Sequence, residues 1–112
     1  MAGAERRQSQ RVFAQIKIIY VNDGDYLISR TRDLSVEGMF ISTTKVLSIG
    51  DTTDISFSID QDGDITLPAR VVWVNSPECS KDAGMGVRFI DPSPDEQARI
   101  LAMINRIAIL PS

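Results

Sequence analysis

"VFAQIKIIYVNDGDYLISRTRD", Val12 to Asp33, decides the fold class. Val12, Ala14, Ile16, Ile18 and Tyr20 fall at every second position, the period that gathers apolar side chains on one face of a strand. Asn22-Asp23-Gly24-Asp25 follows, and an Asp-Gly centre favours a two-residue hairpin turn because both positions accept positive φ. A second run, "YLISRTRD", then leads back. The segment predicts an antiparallel hairpin.

Outward from the hairpin the same period continues. "MFIST" (Met39–Thr43) reads as a third strand. "DISFSID" (Asp54–Asp60) reads as a fourth, with Ile55, Phe57 and Ile59 on one face and Asp54, Ser56 and Ser58 on the other. "ITLPARVVWVN" (Ile65–Asn75) is a fifth, in which Pro68, unable to donate to a ladder, marks an edge or bulge. "GVRFI" (Gly86–Ile90) is the sixth, and Trp73 and Phe89 are assigned to the core or to helix packing. The period then changes. Ser93 with Glu96 three residues later and Pro94 at the first helical position forms a capping-box signature. Ile100, Leu101, Ile104, Ile107 and Ala108 supply an apolar stripe for a helix over about 94–109. Six short antiparallel strands and one terminal helix predict a mainly β protein, a small barrel whose open end the helix covers.

Composition sets bounds on function. The chain has 112 residues, 43% hydrophobic and 24% charged, enough for one domain with a core of its own. It has no histidine and a single cysteine, Cys79, so the commonest general base, a structural zinc site and an internal disulfide are all excluded. A binding protein is expected rather than an enzyme. No apolar run approaches the roughly 20 residues of a spanning helix, and the opening "MAGAERRQSQ" lacks the apolar core of a signal peptide. The expectation is a cytoplasmic protein without membrane insertion.

Charge is unevenly placed. The formal net charge is -3, yet "ERRQSQRVF" (Glu5–Phe13) holds three arginines; the other nine basic side chains face fifteen acidic ones. Residues 1–11 read as a flexible arm and residues 12–112 as the barrel with its helix. A second feature answers the arginines. In "RDLSVEGMF" (Arg32–Phe40), Asp33 and Ser35 are two residues apart and would share a face of a strand. Gly38, without Cβ, would let a ligand approach the backbone. Arg30 and Arg32 would lie on the opposite face from Asp33. A phosphate alone suits the arginines but is repelled by Asp33. A guanine nucleotide uses both signs, since its N1–H and N2–H2 donors suit a carboxylate and its O6 and N7 acceptors suit an arginine fork.

These residues resemble a known family. Arg6-Arg7-Gln8-Ser9-Gln10-Arg11 is similar to the RRxxxR motif, and Asp33-Leu34-Ser35-Val36-Glu37-Gly38 to the (D/N)xSxxG motif, of the PilZ domain. "ARVVWVN" (Ala69–Asn75) and "GMGVRFI" (Gly84–Ile90) continue the resemblance over essentially the whole chain. It implies a six-stranded antiparallel split barrel with a C-terminal helix, and a non-catalytic receptor for the bacterial second messenger cyclic di-GMP. Arg7 and Arg11 would grip guanine edges and phosphates, with Arg6 as a supporting charge. Asp33 would accept from a guanine, Ser35 would meet phosphate or base, and Gly38 would shape the loop. A protein effector would receive the signal, in motility, biofilm and exopolysaccharide formation, or virulence. The alternative is a PilZ-like adaptor that works through protein contacts without the nucleotide.

Three other readings carry less. Nucleic-acid binding by a basic, aromatic groove fits poorly with an acidic chain of 6% aromatic content. "DQDGD" (Asp60–Asp64) begins like a calcium loop, but Val71 stands at the twelfth position, where a bidentate glutamate belongs. It reads as a hairpin turn. Asp-x-Ser before a glycine is also ordinary turn chemistry, in which side-chain oxygens cap nearby N–H groups.

Overall fold

Strand alternation over most of the chain produces seven strands in the computed structural model, which describes residues 11–58, 63–79 and 81–109. They are β1 (Val12–Phe13), β2 (Lys17–Asn22), β3 (Asp25–Leu34), β4 (Gly38–Ser42), β5 (Thr52–Ser58), β6 (Asp64–Asn75) and β7 (Gly84–Phe89), followed by the helix α1 (Pro94–Ile109). Every pairing is antiparallel, in the order β3-β2-β5-β6-β7-β4, and β4 returns to β3 to close a six-stranded barrel. β1 is a two-residue piece that lies along the far end of β3. The arm residues 1–10, the 60–62 part of the "DQDGD" turn and the side chain of Ala108 lie outside the described residues.

The predicted first strand is interrupted rather than continuous. Between β1 and β2, Thr31 on β3 is buried, and its hydroxyl donates to Ala14 O and accepts from Ile16 N–H. The side chain thus replaces ladder bonds across the irregular stretch, while Val12, Ile18 and Tyr20 keep the inward period. The hairpin between β2 and β3 closes with Asn22 opposite Asp25, and Asp23 and Gly24 take φ of 54° and 81°. Both positive values identify the twisted two-residue turn that the sequence demands.

Inward residues of all six barrel strands, among them Ile18, Leu34, Ile41, Ile55, Leu67 and Met85, form one core. Phe57 and Phe89 stack within it, their centroids 6.4 Å apart. Pro68 is on neither an edge strand nor a bulge: it stands opposite Asp54 within the β5–β6 ladder and just past the end of the β6–β7 one, where its missing donor breaks no ladder bond. Its carbonyl accepts from Ile90 N–H (2.8 Å), and the β6–β7 pairing starts one residue later, at Ala69 opposite Phe89.

The helix begins as predicted. Ser93 N–H donates to Glu96 Oε1 (2.8 Å) and Glu96 N–H donates to Ser93 Oγ (3.1 Å), a reciprocal pair that satisfies two otherwise unpartnered donors. Ile100, Met103 and Ile104 are buried, and α1 lies against β1. Leu101, assigned to the stripe from sequence, is exposed instead. The buried line follows positions 100, 103, 104 and 107, and a residue one step from Ile100 turns about 100° away from it. Among the described residues no helix is long and apolar enough to cross a membrane.

Two one-residue bulges break the strand parity. In β3 the register passes from Thr31–Ile41 to Asp33–Phe40, leaving Arg32 as an extra residue. In β6 it passes from Val71–Val87 to Trp73–Gly86, leaving Val72 extra. A bulge changes which face the following residue occupies. Both lie beside the same patch of outer surface.

Candidate ligand-binding site

The pairings place five residues in one row across the outside of the barrel. Phe13 on β1 is opposite Asp33 on β3, Asp33 is opposite Phe40 on β4, Phe40 is opposite Gly86 on β7, and Gly86 is opposite Trp73 on β6. Met39 and Ile41, the neighbours of Phe40, belong to the core, so Phe40 and its row face outward. Phe40 is nonetheless buried. The Arg32 guanidinium lies over its ring, 4.0 Å from the centroid, and Trp73 meets it edge-on at 5.8 Å. Gly86 leaves room between them, and Trp73 remains 52% exposed. The result is a depression of about 250 Å³ whose lining includes Arg11, Arg32, Asp33, Phe40, Trp73 and Gly86.

Asp33 is only 3% exposed and is held by charge on both sides. Arg11 donates to Asp33 Oδ1, and Arg32 Nε donates to Oδ2 at 3.3 Å. A buried carboxylate needs such partners, since it has left water and its charge is otherwise uncompensated. The sequence reading put Arg32 on the face opposite Asp33. The bulge at Arg32 overturns that, because the extra residue brings both side chains to the same outer face.

Ser35 and Gly38 form the turn between β3 and β4. Ser35 N–H donates to Gly38 O (2.8 Å) and Gly38 N–H donates to Ser35 O (3.3 Å). Ser35 is fully buried, and its hydroxyl accepts from Glu37 N–H (3.2 Å) and donates to Gly38 O (3.4 Å). Asp33 and Ser35 therefore do not present a common face, because β3 ends at Leu34 and Ser35 has entered the turn. Gly38 has a packing reason for lacking a side chain. A Cβ there would stand 2.0 Å from Val87 O, a main-chain atom of β7. The empty position admits the close approach of β7.

Of the six residues singled out from sequence, Arg11 and Asp33 are in contact, Ser35 and Gly38 support the loop beside them, and Arg6 and Arg7 lie outside the described residues. Phe13, which is 84% exposed, Phe40, Gly86 and Trp73 were missed as members of the row. The sequence assigns Trp73 to the core or to helix packing, and the Val72 bulge instead turns it outward. A signal was present: the inward residues Val71 and Val74, like Thr31 and Leu34, are an odd number of positions apart, which a regular strand forbids.

The arrangement offers planar cations, an exposed aromatic face and a buried carboxylate on a rigid sheet, groups suited to a purine bearing phosphate. The family model of the PilZ domain matches residues 5–106. The chain belongs to the PilZ domain family. Solved structures share its fold. The PilZ domain of Escherichia coli YcgR with c-di-GMP is 21% identical, with 92% of each chain covered and a TM-score of 0.72. The Bacillus subtilis inhibitor of motility MotI/DgrA is 19% identical over 92% of this chain and 52% of its own, with a TM-score of 0.71. A K. pneumonia MrkH–c-di-GMP complex is 17% identical over 93% of this chain and 53% of its own, with a TM-score of 0.70. The PilZ chain thus spans about half the length of the last two. No curated protein sequence matches it significantly.

Proposed function

We propose that this PilZ domain is a non-catalytic, cytoplasmic receptor for cyclic di-GMP, binding it on the outer row around Asp33 and Trp73. The observation that carries the reading is the Arg11–Asp33 ion pair, which joins the end of the arginine motif to the start of the Asp-x-Ser motif. Arg6 and Arg7 precede Arg11 in the chain and would close over the nucleotide from the same side. Arg11 and Arg32 present guanidinium planes that both hydrogen-bond to guanine or phosphate and stack on a base. Asp33 orients these two cations toward the nucleotide from its buried position between them. Ser35 and Gly38 fix the turn that holds Asp33 in place. The exposed face of Trp73 gives a base a stacking surface.

Charge-assisted hydrogen bonds contribute about 1.5–3 kcal/mol each, so a few offset the ordering of the arm residues that make them. Binding that draws residues 1–10 onto the barrel changes the surface offered to a protein effector, which is how occupancy would be read in motility, biofilm formation or virulence. Titration calorimetry of the whole chain with cyclic di-GMP, and with GTP as control, tests the proposal. Saturable binding of the dinucleotide alone is expected. A folded protein that takes up neither ligand would overturn the receptor reading in favour of the nucleotide-independent adaptor.

A further inference from the structure

One length of β3 has a strand on only one side. β4 leaves β3 at the pair Arg30–Ser42, where Thr43 N–H turns to Ala83 O (3.2 Å), so from Asp25 to Ser29 the only strand beside β3, among the described residues, is β2. The phase of the pairing identifies the groups on the open side. Val21 donates its N–H to Thr53 Oγ1 (3.0 Å), and its carbonyl accepts from the same hydroxyl (2.8 Å), so both of its main-chain groups point away from β3. Tyr26, opposite Val21, is therefore in a non-hydrogen-bonded pair, and its own N–H and C=O point away from β2. Two residues on, those of Ile28 do the same. Beside these four main-chain groups stand two of the most exposed apolar side chains, Tyr26 at 78% and Ile28 at 66%. Exposed edges are usually guarded by lysine, proline or a bulge, and none of these occurs from Asp25 to Ser29.

Charge at the two ends of the edge is opposite in sign. Arg30 lies at one end, directly across from Lys17 in a like-charge pair that costs stability in the isolated molecule. Asp23 and Asp25 lie at the turn. All four are exposed, and none forms an ion pair with another described residue.

We propose that this edge pairs with the same edge of a second copy of the chain, antiparallel about a two-fold axis at Leu27. Residues facing each other across a ladder must share a face, so Tyr26 falls opposite the partner's Ile28 and Ile28 opposite the partner's Tyr26. In that register all four outward main-chain groups of each copy find partners. Arg30 then reaches the partner's Asp23–Asp25 turn, and the same contact repeats on the other side of the axis. An isologous contact of this kind closes on itself and stops at the dimer. It is smaller than the roughly 800 Å² per partner of a standard interface, so the dimer is weak and concentration-dependent. Asp33 lies five residues beyond Ile28 on β3, about 17 Å away, so both outer rows stay open.

Sedimentation velocity on the whole chain, over a wide concentration series at low salt, tests the proposal. A reversible monomer–dimer equilibrium is expected. Ile28→Pro removes an outward donor without touching the β2 ladder, and Ile28→Lys guards the edge in a way that does not depend on proline geometry. Each should weaken the dimer by about tenfold or more. Arg30→Glu should do the same, and Arg30→Glu with Asp25→Arg should restore association by exchanging the charged ends. Circular dichroism melts establish that each variant is folded. A wild-type protein that stays monomeric throughout, or dimerisation unchanged in the folded Ile28 and Arg30 variants, overturns the proposal.

Discussion

Asp33 and Trp73 stand in the same outer row of the barrel, on β3 and β6, because each follows a one-residue bulge, at Arg32 and at Val72. Without the extra residues, strand parity would continue from Thr31 and Val71 and turn both side chains into the core. An ionised carboxylate there would be without water or partners, and the indole would have to displace packed aliphatic residues. The bulges instead bring an acid and an aromatic to either side of Phe40 and Gly86. Candidate binding residues are thus re-aimed without disturbing the inward pattern that holds the barrel.

Trp73 is the only tryptophan in the chain, so its emission reports on this row alone. Its exposed face offers a purine about 1–3 kcal/mol of stacking. Cyclic di-GMP is expected to change the intensity or wavelength of that emission with the same midpoint as the calorimetric titration. Trp73→Ala should weaken binding roughly tenfold or more while lowering the melting temperature little, since half of the side chain is already in water. Unchanged affinity in the alanine variant would remove the indole from the site.

Gly38 tests whether the last residue of the Asp-x-Ser motif acts by contact or by packing. A methyl group there meets the Val87 carbonyl at 2.0 Å, and no side chain can move aside to relieve it. Gly38→Ala should cost on the order of 3 kcal/mol, visible as a lower midpoint in urea, because β4 and β7 are forced apart. Loss of ligand binding should track that unfolding. A fully stable variant that fails to bind would instead assign the glycine to the ligand.

The barrel was legible because its signals are local. Alternation within β2 and β5, the Asp23-Gly24 turn and the Ser93–Glu96 cap each depend on a few consecutive residues, and each formed as the sequence dictates. The candidate site was legible in its charged half, Arg11 and Asp33, whose residue types match a motif and which the fold brings into contact. Its aromatic half was not, because Phe40 and Trp73 meet only when β4, β7 and β6 are paired in a register shifted by a bulge. Ser35 was placed on a sheet face because two-residue spacing was extended past Leu34, where the strand had already ended.

The capping box predicts how firmly α1 is anchored beneath β1. Ser93→Ala removes the acceptor for Glu96 N–H and should cost about 1 kcal/mol, measured by denaturant unfolding. Ile104→Ala, at a fully buried position facing the core, should cost more, about 2–5 kcal/mol. Equal effects from the two changes would mean that the helix contributes little to the core.

Arg11 and Asp33 permit a double-mutant cycle that separates two roles for the carboxylate. If Asp33 acts by holding Arg11 against the barrel, Arg11→Ala and Asp33→Ala each remove the same arrangement, and the double variant loses little beyond either single one. If Asp33 met the nucleotide independently, the two losses would add. The first outcome is expected, since both carboxylate oxygens are engaged by arginines and the carboxylate is almost wholly buried. Calorimetry with cyclic di-GMP on the four proteins decides it, with each single change weakening binding by about tenfold or more. Stability should fall by only about 1 kcal/mol in Arg11→Ala, because half of that side chain is in water and the pair is screened. Additive losses would place a guanine N–H directly on Asp33, and Arg11 would then be a separate contact from the arm.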